Sequence, residues 1–233
     1  MVSGVNLALL EVYFFFKCAQ LMREDAVILS EIDVISYYWL MFTIMTGIWE
    51  AYFVQNRPHV KRISQQLLRD NTHVWTNDYP LNALHPRRFA MQFYAEYGAY
   101  ADREYMVVRD DWSRLIESTH AFVCAGFSAA GVGYMIVYNP ILSQKCVLIA
   151  MSAQWMNSVL YIGQYMIQTR EEYHINEDRP QFPTGKWLLA RPFFYINVLW
   201  MVMPMYVVWM NMCFILSKYN NHSKIVTELL SEY

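Results

Sequence analysis

Two stretches of this 233-residue chain, Cys146 to Gln168 and Pro192 to Ser217, contain no Asp, Glu, Lys or Arg. Helices of that length cross a hydrocarbon core at about 1.5 Å of rise per residue. Two further stretches are nearly as bare. Residues 34–54 hold one charge, Glu50, and residues 115–138 hold one, Glu117, together with His120. A fifth stretch, Val2 to Met22, is apolar apart from Glu11 and Lys17, and Lys17 can snorkel toward an interface. It reads as a helix rather than a signal peptide, because no Lys or Arg precedes Lys17.

The expected fold is an all-α membrane protein. Five transmembrane helices (2–22, 34–54, 115–138, 146–168 and 192–217) surround a lipid-accessible pocket, with a long folded loop between the second and third. The whole chain, 1–233, forms one membrane domain. Mean hydropathy is only +0.13 because the charges gather in residues 55–114 and 169–191. Overall 16% of residues are charged, against about 25% in soluble domains. The net charge of −2, with no long Lys/Arg run, argues against nucleic acid as a partner. The four cysteines lack C-x-x-C spacing and read as small buried hydrophobes.

The connector 55–114 contains Pro58, Pro80 and Pro86, an amphipathic piece from Val60 to Leu68, and an aromatic, acidic end from Phe93 to Asp111. Structureless loops of this length are uncommon, so it reads as a folded cap with short interfacial helices. Five spans put both charged connectors on the side of the N-terminus. They hold most of the eighteen Lys and Arg, and the positive-inside rule places that side in the cytoplasm. The sequon Asn221-His-Ser223 matters only for a lumenal C-terminus.

Polar residues recur at helical spacing inside the spans. Thr43, Thr46, Gly47 and Glu50 share a face of the second span; Glu117, His120, Ala121, Cys124 and Ser128 one of the third. Gln154, Asn157, Ser158, Tyr161, Tyr165 and Gln168 mark the fourth, and Asn197 and Trp200 the fifth, before Pro204. Lipid leaves such groups unsatisfied, so the stripes face one another. They serve either as a pocket or as interhelical glue; Trp39 and Trp49 read as interface anchors. Two carboxyls in an apolar site can divide the work of proton donor and proton acceptor, and aromatic faces stabilise a cation. That set suits alkene isomerisation through a carbocation, or binding of a lipophilic amine. No metal-ligand spacing, phosphate loop or nucleophile elbow is present, so no metal or other cofactor is expected.

Several motifs resemble the emopamil-binding protein (EXPERA domain) family of sterol Δ8–Δ7 isomerases. Gly47-Ile-Trp-Glu50-Ala-Tyr-Phe-Val54 resembles its "E-G-x-F-V" motif. Glu96-Tyr97-Gly-Ala-Tyr-Ala-Asp102-Arg-Glu-Tyr105 resembles "K-E-Y-x-K-x-D-S-R-Y" with one residue inserted and with Arg103-Glu104 in place of Ser-Arg. Asp110 and, seven residues on, Glu117 match the spacing into the third helix. Gln154 to Tyr161 is similar to "Q-x-Y-x-x-x-x-Y", and Tyr195 to Pro204 to "x-x-N-x-x-W-x-x-x-P".

The resemblance implies a multi-pass protein of the endoplasmic reticulum membrane that isomerises or cyclises a sterol-like or terpenoid substrate. In such isomerases a proton is added at carbon 9 and another is lost from carbon 7. Glu50 and Glu117 would be the acid/base carboxyls, Trp200 the ring facing the cation, and Asn197 its polar neighbour. Thr46, Gln154 and Tyr161 would line the substrate site. The family's histidine four residues before the second-helix glutamate is Thr46 here, and threonine cannot deliver a proton as imidazolium does. His120, one turn beyond Glu117, is the expected substitute. Loss of that histidine also keeps open a non-catalytic sterol or amine binder like the sigma-two receptor. Expected partners are the small molecule and membrane lipid, with a homodimer allowed.

Overall fold

The computed structural model describes residues 1–101, 111–170 and 192–231. Asp102 to Tyr105 and Asp110 of the loop motif and the connector 171–191 lie outside the described residues, as do the side chains of Tyr165, Gln168 and the Asn221 sequon. Among the described residues six α-helices follow one another: α1 (Gly4–Asp25), α2 (Val34–Asp70), α3 (Pro86–Glu96), α4 (Asp111–Ile136), α5 (Pro140–Arg170) and α6 (Pro192–Ser231). Four of them contain segments long and apolar enough to cross a membrane: Gly4–Asp25, Leu115–Ile136, Pro140–Gly163 and Phe194–Phe214. The expected span 34–54 is not among these four. It lies inside α2, where Ser36, Tyr37, Tyr38, Thr43, Thr46 and Glu50 dilute the apolar run.

α2 also corrects the expectation that Val60 to Leu68 is a separate interfacial helix. That segment continues α2, whose 37 residues extend about 55 Å. The helix bends where Asn56 leaves helical geometry (φ −113°, ψ 16°). Pro58 causes the bend, since its ring crowds the preceding turn and it has no N–H to offer. Beside the bend, Asn56 Nδ2 donates to the Tyr52 carbonyl at 2.7 Å. Asp33 caps the start of α2, accepting from Ser36 N at 2.9 Å, and Asn71 ends it in the left-handed region (φ 50°).

The connector after α2 is folded. Residues Val2–Ser3 pair antiparallel with Asp78–Tyr79, in the register Val2 to Tyr79. Gly4 follows at a point where any Cβ would run into the Val74 carbonyl. Buried Glu96, at the end of α3, accepts from Val74 N at 2.8 Å and lies 2.7 Å from His73 Nδ1. A π-helical turn, Tyr97–Ala101, continues α3.

α4 and α5 form an antiparallel hairpin. Tyr138 turns the chain in the left-handed region (φ 58°), Asn139 Oδ1 accepts from Leu142 N, and Pro140 begins α5. Two of the three apolar cores among the described residues flank the polar segment of α2. One joins α2, α4, α5 and α6 through Tyr37, Leu40, Val132, Met151 and Val207. The other packs the far half of α2 against α3 through Phe53, Val60, Leu67 and Ala95. α1 leaves Leu9, Tyr13, Phe14 and Phe16 exposed, as a lipid-facing helix would.

Trp39 is not an interface anchor: it is 7% exposed, within the first core. Trp49 packs on Phe89 with ring centroids 5.0 Å apart and borders the cavity described below. Cys124 and Cys146 are buried, but Cys18 and Cys213 are exposed on the outward faces of α1 and α6. A hydrophobic thiol is at home on such a face if lipid surrounds it.

Candidate functional site

The segment of α2 between the two cores carries Thr43, Thr46, Gly47, Trp49 and Glu50, and all five border one cavity of about 320 Å³. This lies within the range of small-molecule sites. α4 contributes Glu117, His120, Ala121 and Cys124; α5 contributes Gln154, Asn157, Ser158 and Tyr161; α6 contributes Ile196, Asn197 and Trp200. Every residue singled out from the sequence as catalytic or substrate-binding therefore reaches the same space. Ser128 does not border it and is fully buried elsewhere on α4.

Close helix approach makes this convergence geometrically possible. At Gly47 an added Cβ would strike the Ala125 Cβ and lie 3.0 Å from the Ala121 carbonyl oxygen. Small residues at such crossings bring backbones together where packing alone must join helices. The turn of α2 next to this crossing presents Glu50, which is 9% exposed. Across the cavity, Asn157 Nδ2 donates to Glu117 Oε2 at 3.3 Å. The two carboxyls thus project from different helices, each with a polar partner.

Glu50 has its partner in the cap. Tyr94, on α3, lies beside the Glu50 carboxyl. Burial, with the Glu50 charge second, holds the Tyr94 hydroxyl protonated well above the usual phenol range. Tyr94 is fixed in turn by its ring, which stacks on Phe53 at 5.0 Å and 5°. Phe93, Tyr94 and Tyr97 all border the cavity, so the cap closes one side of it. These three were not picked out from the sequence individually; the aromatic segment beginning at Phe93 was the available signal.

Thr46 is occupied locally. Its hydroxyl donates to the Phe42 carbonyl at 3.0 Å, with the Thr43 carbonyl at 3.2 Å. His120 differs: its Nε2 is buried and finds no hydrogen-bond partner among the described residues. A buried polar atom left in this state favours a contact with whatever enters the cavity. Among the described residues no three His, Cys, Asp or Glu side chains gather as a metal site.

The arrangement provides two carboxyls, an imidazole, tyrosine hydroxyls and amides around a space whose remaining lining is largely apolar. Such a site can move a proton onto one atom of a bound hydrocarbon and take a proton from a neighbouring atom. Comparison with protein-family models, with curated proteins and with solved structures finds no match for this chain.

Proposed function

We propose that this chain is a multi-pass membrane isomerase acting on a sterol-like or terpenoid polycyclic alkene, by proton transfer through a carbocation. The observation that carries the reading is Glu50 and Glu117 bordering one largely apolar cavity from different helices, with Trp200 bordering it from a third. One carboxyl protonates the alkene. The cation that forms lies against aromatic faces, and the other carboxylate removes a proton from the adjacent carbon. One proton enters and one leaves, so the substrate changes only the position of its double bond. In a cyclising variant the same cation is captured by a second alkene before the proton is lost.

His120 in this reading supplies the imidazole missing at Thr46, and Asn197 contacts the substrate near Trp200. In this reading α2 crosses the membrane as a fifth span, with the polar side of the segment 34–54 turned to the cavity rather than to lipid. The resemblance to the emopamil-binding protein family supports the substrate class and an endoplasmic reticulum location. The test is product analysis in deuterated water with a panel of polycyclic alkenes and their epoxides. A shifted double bond, or a new ring, carrying one deuterium supports the reading; unlabelled, unchanged alkenes throughout the panel overturn it.

One observation favours a second reading, a non-catalytic binder of sterols or lipophilic amines. The Thr46 hydroxyl is committed to its own helix and brings no proton to the cavity. Saturable binding of a cationic sterol mimic without turnover of any alkene would support that alternative.

A further inference from the structure

Trp39 is buried, and its indole N–H is engaged. Nε1 donates to Gln154 Oε1 at 2.9 Å, joining α2 to α5. Gln154 Nε2 donates to Thr43 Oγ1 at 3.4 Å, and Thr43 Oγ1 donates to the Trp39 carbonyl at 2.9 Å. The three bonds close a ring. The first sets the direction of the amide: with its oxygen on the indole, its nitrogen must face Thr43. Gln154 borders the cavity, but it is 3% exposed and both ends of its amide are used within the protein.

On its other side Trp39 lies against Trp200, with ring centroids 4.8 Å apart at 58°. Phe42, three residues further along α2, stacks on the same ring at 5.6 Å and 16°. Trp200 borders the cavity, whereas Trp39 and Phe42 do not. The α6 indole is therefore backed by two α2 rings, one of them pinned through Gln154 to a third helix.

The geometry points to Trp39 and Gln154 as positioning residues, whose hydrogen bond holds the Trp200 face in register with a cation in the cavity. This rests on the reading of Trp200 as the ring that faces the cationic intermediate. A cation gains from an aromatic face only within about 6 Å and over the ring plane. An indole free to turn about its side-chain torsions must be ordered at the moment of binding, and that ordering opposes the gain. Rings packed behind it remove this freedom beforehand. Gln154 then acts through Trp39 and Trp200, not by touching the substrate.

The test uses the purified full chain in lipid nanodiscs. Equilibrium binding is measured for an azasteroid protonated at neutral pH and for its uncharged carbocyclic counterpart. Trp39→Phe keeps a ring but removes the N–H, and Gln154→Leu removes the acceptor. Each should lower affinity for the cation about fivefold more than affinity for the neutral compound. The double variant should lose no more than either single one, because both break the same bond. Equal losses for both compounds would indicate general packing damage and overturn the proposal. So would an unchanged preference in both variants when Trp200→Leu abolishes it, which would leave the role of Trp200 intact. An unchanged preference in Trp200→Leu itself would overturn the role of Trp200, and the positioning proposal with it.

Discussion

Asn157 on α5 donates its amide to Glu117 on α4 across 3.3 Å, at the edge of the cavity. The bond ties the Glu117 carboxyl to α5 where it borders the cavity. A hydrogen bond to a charged group contributes about 1.5–3 kcal/mol. Asn157→Leu should therefore slow the proposed isomerisation about ten- to a hundredfold, measured as turnover in nanodiscs at saturating substrate. Turnover at the wild-type rate would show that Glu117 needs no help from α5.

The cap depends on Glu96. Its carboxylate accepts from the fully buried Val74 N and lies against His73, and so ties the connection after α2 to the end of α3. Glu96→Ala leaves that N–H without a partner, at a cost of about 1–3 kcal/mol. Limited proteolysis should then cut between residues 71 and 79 faster than in wild type. An unchanged cleavage rate would mean that the strand pairing to Val2 suffices to hold the segment.

Asp33 links the start of α2 to α6, accepting from Ser36 N at 2.9 Å and from the Tyr206 hydroxyl at 3.1 Å. Burial pushes its carboxyl up, but the hydrogen bonds from Ser36 and Tyr206 outweigh it, and the net shift is below the ordinary value. A carboxyl lowered by folding stabilises the protein fully above its unfolded value of about 3.9, and that contribution is lost as pH falls through the folded value. Asp33→Ala should cost about 1 kcal/mol at neutral pH, as loss of a helix N-cap does. The difference in melting temperature from wild type should shrink as pH drops below about 4. A difference independent of pH would remove the carboxylate from the explanation.

Gly47 permits the crossing of α2 and α4 that brings Glu50 into the cavity. Gly47→Ala places a methyl against Ala125 and should destabilise by about 1–3 kcal/mol, with a lower melting temperature and weaker ligand binding. Adding Ala125→Gly should restore much of the loss, because it removes the facing methyl. Without that restoration, the crossing would be spaced by other contacts.

The polar stripes were legible because helical period and lipid exclusion act residue by residue. Thr43, Thr46, Gly47 and Glu50, and Gln154, Asn157, Ser158 and Tyr161, border the cavity as their three-to-four spacing implied. Three features were hidden for physical reasons. Tyr94 reaches Glu50 only because α3 folds back over the cavity, and no local pattern encodes that return. Trp39 reads as an anchor from its position, and the acceptor for its buried N–H, Gln154, lies more than a hundred residues away. Pro58 lies in what reads as a charged connector, yet α2 only bends at Asn56 and continues to Asp70, because a proline can bend a helix without ending it.

The central claim is that Glu50 and Glu117 carry out one proton exchange on a bound polycyclic alkene. Its most direct test is deuterium incorporation from labelled water into a Δ8 sterol, by nanodisc preparations of wild type, Glu50→Gln and Glu117→Gln, each first shown to bind a cationic sterol mimic. The account predicts a shifted double bond carrying deuterium with wild type and a loss of at least a hundredfold in either variant, on the order expected for removing a general acid or base. Labelled product formed at the wild-type rate by both variants would contradict it.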